Sequence, residues 1–544
     1  MDGLMQNVPL TVDRIIDHAA NWHGTREIVS RDAEGRVTLS TYAGVHADAK
    51  RVSNALAAEG IKPGDRVATM AWNGARHLAA WYGAAGMGAV LHTLNPRLFL
   101  EQIAYIVNHA GDRLLIADPA TADLVEELLP QVPTIEKVIF FCDRASLPQT
   151  SFPAVAFDDW IAGHLAEYDW GGFEENAACG LCYTSGTTGN PKGVLYSHRS
   201  NYIHALMTLQ RDALALSARD TVLLVVPMYH ANAWGVVYSA PAVGAKLVLP
   251  GQRMDGESIY NLIEQEGVTY SAAVPTVWQM LLQYMQENGK RFTTLERVTI
   301  GGSACPPSII RTFRDDYGVD VIQGWGMTET SPLGTVSVPN AAVAAKEDDA
   351  QMAYKLKQGR LLCGLEMKLV DDAGNRMPHD GKTPGRLMVK GPTIACAYYG
   401  GEGGDVLDAE GFFDTGDVST IDGEGYMQIT DRAKDVVKSG GEWISSIEIE
   451  NIAMGHDAVA NAAVVGVAHP KWDERPILLC QLKDGADACA DDLKAYLDGK
   501  IARWWMPDDV LFVTEIPLGP TGKIDKKAIR AGLEGYKLPF EVTR

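Results

Sequence analysis

The sequence predicts two fold classes in one chain: a large N-terminal α/β part of helix-covered sheets with a β-rich subdomain, followed by a small α+β domain. Three observations predict this. Helical and strand patterns alternate over residues 40–130 and again over 200–330, turns rich in Gly and Asp begin near residue 350, and a compact mixed unit begins near Asp431. At roughly 150 residues per domain, 544 residues suffice for about two to four domains.

The two alternating stretches each predict a parallel sheet covered by helices, because strand–helix–strand units build such sheets. In the first stretch, apolar residues at helical spacing predict helices over 41–59 and 75–87, and apolar runs predict strands over 66–72 and 114–117. The second stretch contains four further strand patterns, at 221–226, 246–249, 270–274 and 297–300.

The C-terminal third has a different sequence pattern, in which short strands alternate with turns. Gly- and Asp-rich turns at 371–374, 400–404 and 422–425 predict antiparallel hairpins, since these residues favour tight turns. We therefore expect a large N-terminal domain over residues 1–430 and a small C-terminal domain over 431–544.

Composition excludes several classes of function. Lys and Arg number 48 and Asp and Glu 69, a formal net charge of −21, which argues against broad binding to nucleic acid or anionic lipid. With 46% hydrophobic and 22% charged residues, the chain matches a soluble globular protein and not a disordered one.

The N-terminus and the cysteines predict a cytoplasmic protein. The first residues include Asp2 and Asp13 and lack the basic region of a secretory signal, and no window offers the about 18 uninterrupted apolar residues of a transmembrane segment. Eight cysteines are too few for a disulfide scaffold. Cys179 and Cys182 form a CxxC pattern without a second pair or a histidine cluster, so two buried thiols are expected ahead of a redox or zinc site.

A loop suited to phosphate follows an apolar strand pattern. The string YTSGTTGNPKGV at 183–194 combines flexible glycines with hydroxyls and one lysine, and backbone N–H groups, hydroxyls and an ammonium group can wrap a polyphosphate. The string lacks the GK followed by Ser or Thr of a Walker A loop. The candidate phosphate-binding residues are Thr184, Ser185, Gly186, Thr187, Thr188, Gly189 and Lys192.

This loop resembles the phosphate loop of the adenylate-forming superfamily, which includes acyl-CoA synthetases, firefly luciferase and peptide-synthetase adenylation domains. Five further motifs stand in the family's order: QGWGMTE at 323–329, TGD at 415–417, DRAKD at 431–435, KSGGEWI at 438–444 and PTGKI at 520–524. The resemblance extends from about residue 10 to 535. It implies that ATP activates a carboxylate as an acyl-adenylate, a reaction that depends on positioning and on cationic stabilisation of phosphoryl oxygens.

The resemblance also implies roles for single residues in the nucleotide site. Trp325 stacks on adenine, where Tyr is commoner in the family, and Glu329, together with Thr184, holds Mg²⁺. Lys523 bridges the substrate carboxylate and the α-phosphate, with Lys526 and Lys527 as nearby rivals. The other residues implied to bind ATP or AMP are Gly302, Gly326, Thr328 for the α-phosphate, Asp417 for the ribose hydroxyls and Arg432 beside the ribose.

A second half-reaction with CoA is implied for the small domain. In the family this domain is mobile: it rotates after adenylation about a hinge that matches 431–435, with Lys434 at its centre, and the lysine loop 520–524 leaves the site. A pantetheine tunnel then forms, and the residues implied to line it are Lys438, Ser439, Gly440, Gly441, Glu442 and Trp443. A simple hairpin turn remains the alternative for Ser439 and Glu442.

The acyl site is implied by residues 227–234. The resemblance implies that His230 borders the reacting carbonyl, with a core histidine as the alternative. Trp234 matches the aromatic gate of bacterial long-chain acyl-CoA synthetases. No acid lies near 228–234 to pair a substrate ammonium, so an apolar acid is favoured over an amino acid. The further expected pocket residues are Gly301, Gly302, Pro332 and Leu333.

The resemblance as a whole implies an AMP-forming acyl-CoA ligase that uses ATP, Mg²⁺ and CoA, has no redox cofactor and acts as a homodimer. Within that branch the sequence resembles 3-(methylthio)propanoate–CoA ligases, which implies a short- or medium-chain hydrophobic acid, and medium- or long-chain fatty acids are the alternative substrates. Three rival functions are an enzyme that loads a carrier protein, a non-catalytic nucleotide or carboxylate sensor, and an unrelated NTPase or kinase, for which no signature is found.

Overall fold

The computed structural model describes residues 1, 3–32, 35–184, 190–303, 305–432, 434–439, 442–519 and 524–539, with the backbone alone at Glu442 and Trp443. Within these residues the strands form four sheets. None of the helices in the described part of the chain is both long and apolar enough to cross a lipid bilayer.

The first sheet has seven strands, and all of its strand pairs are parallel except the last. Its strands are β3 (Arg66–Met70), β4 (Val90–Thr93), β5 (Leu114–Ala117), β6 (Lys137–Phe140), β7 (Ala154–Ala156), β8 (Ala178–Tyr183) and β9 (Gly193–Ser197), in the order β7-β6-β5-β3-β4-β8-β9. The helices of this half are α2 (Tyr42–Ala58), α3 (Ala75–Gly86), α4 (Leu100–Ala110), α5 (Ala122–Leu128) and α6 (Phe157–Ala162).

The second sheet has nine strands and takes in a hairpin from the start of the chain. Its strands are β1 (Glu27–Arg31), β2 (Val37–Thr41), β10 (Thr221–Leu223), β11 (Lys246–Leu249), β12 (Tyr270–Ala273), β13 (Arg297–Ile300), β14 (Asp320–Gly326), β15 (Leu333–Val336) and β16 (Arg360–Leu361). Their order is β16-β15-β14-β13-β12-β10-β11-β1-β2. Its helices are α1 (Asp13–His23), α7 (His198–Thr208), α8 (Val236–Val243), α9 (Gly256–Glu266), α10 (Pro275–Glu287), α11 (Pro307–Arg311), α12 (Ala341–Ala344) and α13 (Asp348–Lys355).

The third sheet is an antiparallel meander, as the Gly- and Asp-rich turns predict. It consists of β17 (Glu366–Val370), β18 (Gly385–Lys390), β19 (Phe413–Ile421) and β20 (Met427–Arg432). The turn at 422–425 joins the last two strands, and the side chain of Asp422 accepts hydrogen bonds from the backbone of that turn. This arrangement brings Asp417 of β19 opposite Arg432 of β20.

The C-terminal segment is α+β, with apolar cores built from its own residues. Its elements are β21 (Val437–Ser439), β22 (Glu442–Ile444), α14 (Ser446–Ala453), β23 (Val459–His469), β24 (Asp473–Leu482), α15 (Ala490–Leu497), β25 (Asp509–Val513) and α16 (Lys526–Gly532). The α/β and α+β classes predicted from the sequence are confirmed. The exact boundary at 430/431 stays a prediction.

Candidate active site

A cavity of about 210 Å³ opens at the carboxyl ends of the central strands of the nine-stranded sheet. Strand β10 pairs with β11 on one side and with β12 on the other, so the chain reverses its direction of progress across the sheet at this point. Crevices at such reversals are the usual ligand sites of open α/β sheets. The cavity is lined by residues from several segments, among them Pro227, His230, Trp234, Val274, Gly302, Gly326, Thr328 and Pro332.

The expected acyl-pocket residues line this cavity or lie next to residues that do. The Trp234 indole packs over two glycines, because a Cβ added to Gly301 would lie 3.2 Å from the ring and one added to Gly302 would lie 3.6 Å from it. His230, Trp234, Gly302 and Pro332 line the cavity. Leu333 lies behind it, with a methyl group 3.0 Å from the Cβ position of Gly324. The structure thus brings these residues together, and their roles stay predictions.

Glu329 lies in a short turn just after β14 and is buried. Its Oε1 accepts a hydrogen bond from the Tyr398 hydroxyl at 2.5 Å. Burial raises the pKa of Glu329, and the Tyr398 hydrogen bond opposes that rise. The carbonyl of the preceding Thr328 accepts a hydrogen bond from the Tyr196 hydroxyl at 2.8 Å, which anchors this turn to β9. A buried carboxylate held by one donor can serve as an oxygen ligand for a hard cation.

Asp417, the expected ribose acceptor, is 1% exposed, and contacts to two side chains orient it. Its Oδ2 accepts the indole N–H of Trp325 at 2.8 Å, and its Oδ1 lies 2.8 Å from Nε of Arg432. Trp325 is only 6% exposed and packs with the core of the four-stranded sheet. Trp325 therefore orients Asp417 through this hydrogen bond. Its stacking on adenine stays a prediction.

The two ends of the phosphate loop are tied together by the β8–β9 pairing. The N–H of Thr184 donates to the carbonyl of Lys192 at 2.9 Å, and the N–H of Lys192 donates to the Thr184 hydroxyl at 3.3 Å. The Lys192 ammonium lies 4.9 Å from the centre of the Tyr398 ring, and so next to the residue that holds Glu329. Ser185, Gly186, Thr187, Thr188 and Gly189 lie outside the described residues.

The expected CoA-side residues lie on the C-terminal segment, and none of those described lines the cavity. Strands β21 and β22 pair in antiparallel fashion, and the N–H of Lys438 in β21 donates to Glu474. At the expected hinge, the Lys434 carbonyl accepts from Arg530, and burial lowers the pKa of the Lys434 ammonium. Gly440, Gly441 and Lys523 lie outside the described residues, and of Glu442 and Trp443 only the strand backbone is described.

The geometry also addresses the two rival lysines. The Lys526 ammonium lies 2.8 Å from Oε1 of Glu450, and the side chains of this pair are 11% and 8% exposed. It also donates to the Ser446 hydroxyl. Lys527 is exposed on the same helix, α16. Lys526 is thus engaged inside the C-terminal segment. The adenylation role of Lys523 stays a prediction.

Sequence reasoning missed Tyr398 and Tyr196, which hold the 328–329 turn from two distant segments. Tyr398 stands 69 residues from Glu329, and Tyr196 stands 132 residues from Thr328. Neither lies in a motif that the sequence analysis singled out, so only the folded chain reveals these contacts.

Comparison with known proteins shows which family the chain belongs to. Residues 16–399 match the model of the AMP-binding enzyme family, and residues 448–523 match the model of the AMP-binding enzyme C-terminal domain. A 3-methylmercaptopropionyl-CoA ligase of Ruegeria lacuscaerulensis is 47% identical, with 97% of this chain and 98% of the relative covered. A medium-chain-fatty-acid–CoA ligase of Ectopseudomonas oleovorans is 46% identical, with 97% of each chain covered.

A solved structure is similar in fold. The crystal structure of the anthranilate CoA ligase AuaEII in complex with anthranoyl-AMP superposes with a TM-score of 0.85 at 23% identity, covering 97% of this chain and 99% of that chain. The resemblance to the adenylate-forming superfamily and to its fatty acyl-CoA ligase branch is confirmed by these matches. The chain belongs to the AMP-binding enzyme family.

Proposed function

We propose that this enzyme is an ATP-dependent acyl-CoA ligase for a short or medium hydrophobic carboxylate, with 3-(methylthio)propanoate as the foremost candidate. One observation carries the proposal: a single small cavity joins the nucleotide-side residues Gly326 and Thr328 to the apolar wall of Trp234 and Pro332. A volume of about 210 Å³ lies below the range of roughly 300–1,000 Å³ that is typical of drug-sized ligands, which favours a short acid.

The lining of the cavity also bears on the charge of the substrate. No Asp or Glu is among the described residues that line it, and Arg97 is the one charged residue that does. A buried ammonium group needs a partner, so an amino acid is a poor fit and an apolar acyl chain is a good one. The names of the relatives, for 3-methylmercaptopropionyl-CoA and for medium-chain fatty acids, point to the same substrate class. A thioether and a methylene chain ask for similar apolar walls, so medium-chain fatty acids are the second candidate.

The reaction proceeds in two balanced steps. A carboxylate oxygen of the acid attacks the α-phosphorus of ATP, forming a P–O bond as the bond to pyrophosphate breaks. The sulfur of CoA then attacks the carbonyl carbon of the acyl-adenylate, the bond to AMP breaks, and the thiol proton passes to solvent. In this scheme Lys192 and Lys523 supply positive charge at the phosphates and Asp417 orients the ribose.

Mg²⁺ fits the donor set on the nucleotide side. Glu329 offers a buried carboxylate, which the Tyr398 hydroxyl orients by a hydrogen bond of 2.5 Å to Oε1. Thr184 offers a hydroxyl at the start of the phosphate loop. Oxygen donors of this kind suit a hard cation. Bound there with ATP, Mg²⁺ would neutralise charge on the phosphate oxygens.

For the second step, we propose that residues 431–544 move as a small domain about 431–435. In this movement residues 520–524 leave the cavity and residues 438–443 take their place. We also propose that the enzyme is a cytoplasmic homodimer, by analogy with the family that it resembles. Sedimentation at several concentrations tests the dimer, and a monomer throughout contradicts it.

The experiment that tests the function is a panel of acids assayed with ATP, Mg²⁺ and CoA, with thioester, AMP and pyrophosphate quantified for each acid. The panel contains propanoate, 3-(methylthio)propanoate, hexanoate, octanoate, palmitate and benzoate. We expect the highest kcat/KM at 3-(methylthio)propanoate or at acids of similar length. A maximum at palmitate contradicts the short pocket, and adenylate without any thioester indicates an enzyme that loads a carrier protein.

A further inference from the structure

The segment that carries Trp234 has an unusual backbone. Asn232, Ala233, Trp234 and Gly235 all have positive φ, with values of 53°, 46°, 55° and 81°. Three of the four are not glycine, and left-handed conformation costs such residues on the order of 1–3 kcal/mol each. A backbone conformation of this cost persists only if contacts with surrounding residues stabilise it. The same contacts fix the position of Trp234 in the cavity wall.

Helix α7 supplies the first hold through Asn201, a fully buried residue. Its Oδ1 accepts from Nδ2 of Asn232 at 2.9 Å. Its own Nδ2 donates to the Tyr238 hydroxyl at 3.2 Å and to Sγ of Cys179 at 3.3 Å. The Tyr238 hydroxyl also accepts from Nε1 of Trp81 at 2.9 Å. The hydrogen bonds that the Asn201 amide nitrogen donates fix the orientation of this side chain, so its Oδ1 is held in place as the acceptor for Asn232.

The second hold is His204, one turn further along the same face of α7. Its Nε2 accepts the N–H of Leu333 at 3.0 Å. Its ring also lies against Gly235, where a Cβ would sit 2.7 Å from two ring atoms. Burial lowers the pKa of His204 to about 4, so the ring is neutral at the pH of an enzyme assay and its nitrogen can accept this bond. His204 thus touches both the turn behind Trp234 and the segment that carries Pro332.

We propose that Asn201 and His204 are positioning residues that set the acyl selectivity of the enzyme by holding the Trp234 turn and the Pro332–Leu333 segment at a fixed separation. Neither side chain lines the cavity, so both act through the residues that do. The inference rests on the proposed function, since it takes this cavity to be the acyl pocket. It predicts that loss of either hold loosens the gate and favours longer acids.

The test compares octanoate with 3-(methylthio)propanoate as the ratio of their kcat/KM values. We expect Asn201→Ala and His204→Leu to raise this ratio by about tenfold or more, since small misplacements and single methylenes carry effects of that size. The KM for ATP should stay within about twofold of the wild-type value, because the described contacts of Asn201 and His204 include no residue assigned to ATP. His204→Gln keeps an acceptor for the Leu333 N–H and should restore the wild-type ratio.

The matched control is Thr208→Val on the same helix. Thr208 is fully buried and its hydroxyl bonds only within α7, to the Ala205 carbonyl, among the described contacts. We expect lower thermal stability and an unchanged acid ratio for this variant. Should Asn201→Ala fail to fold, Asn232→Ala removes the same bond from the side of the turn and should shift the ratio in the same direction.

The results distinguish a failure of the positioning role from a failure of the proposed ligase function. If the wild type turns over acids and the Asn201, Asn232 and His204 variants keep its acid ratio while losing only stability, the positioning role is refuted alone. If the wild type forms no thioester with any acid, the proposed function fails and this inference fails with it. A raised ratio in the variants, restored by His204→Gln, supports it.

Discussion

Replacement of Lys526 by Met is expected to destabilise the C-terminal segment without removing the chemistry of the folded enzyme. The Lys526 ammonium lies 2.8 Å from Glu450, and both side chains are almost fully enclosed. Asp431 is also close enough for its charge to favour the protonated lysine. Removing the cation leaves the Glu450 carboxylate buried without its counter-charge.

The expected magnitude follows from this geometry. Breaking a buried ion pair from one side costs about 3–5 kcal/mol. In a domain of about 100 residues, 1 kcal/mol shifts Tm by about 4–8 °C, so the transition of this segment should fall by at least about 10 °C. The double variant Lys526→Met/Glu450→Leu removes both charges, and it should recover most of that loss because apolar pairs replace buried ion pairs well.

The assay pairs scanning calorimetry with ATP–pyrophosphate exchange measured well below the lowered transition. Lys527→Met is the matched control, since Lys527 is exposed on the same helix, and it should leave both readouts unchanged. Lys526→Met should exchange pyrophosphate at a rate close to that of the wild type, whereas Lys523→Ala should nearly abolish exchange. A Lys526→Met variant with wild-type Tm and no exchange would refute the reasoning and make Lys526 the adenylation lysine.

Four further perturbations test other parts of the site. Trp325→Phe keeps an aromatic face but removes the N–H that donates to Asp417. A hydrogen bond to a charged group contributes about 1.5–3 kcal/mol, so its loss should raise the KM for ATP by at least about tenfold. An unchanged KM would show that this bond does not contribute to ATP binding. Tyr398→Phe should raise the half-saturating Mg²⁺ concentration in pyrophosphate exchange by about tenfold, because outer partners of metal ligands carry effects of that size; an unaltered Mg²⁺ titration contradicts the metal assignment. Trp234→Ala should shift the preferred acid to longer chains in the acid panel, and a preserved optimum would remove Trp234 from the gate. Burial lowers the pKa of His77 to about 4, whereas histidine in the unfolded chain titrates near 6.5. The unfolded chain therefore binds the proton more readily, and the free energy of unfolding falls as the pH drops below about 6.5. Between pH 7 and 5, urea melts should show that His77→Gln loses about 2 kcal/mol less of its free energy of unfolding than the wild type does.

Local patterns predicted most of the α/β elements. The strands at 114–117, 246–249 and 297–300 match the structure at both ends, and the helix predicted over 41–59 runs from Tyr42 to Ala58. The strand predicted over 221–226 ends earlier, at Leu223. The apolar run continues because Val225 and Val226 line the cavity instead of pairing in the sheet. Periodicity reports burial, and it does not distinguish a sheet from a pocket wall.

The pairing of strands that lie far apart in the chain could not be predicted from the sequence. The β1–β2 hairpin joins the nine-stranded sheet through β11, more than 200 residues away in sequence, and no local signal marks that partner. In the site, the motif strings singled out Glu329, Asp417 and Thr184, which lie in a turn after β14, within β19 and directly after β8. The contacts that orient these residues come from Tyr398, Trp325 and the strand pairing, which depend on the folded chain.

The central claim is that one chain carries out both adenylation and thioester formation. The most direct test mixes a known concentration of active sites with ATP, Mg²⁺ and 3-(methylthio)propanoate, measures the burst of pyrophosphate, and then adds CoA. We predict about one equivalent of pyrophosphate before CoA, followed by AMP and acyl-CoA in equal amounts after its addition. Release of inorganic phosphate and ADP, or an adenylate that CoA does not discharge, would contradict the claim.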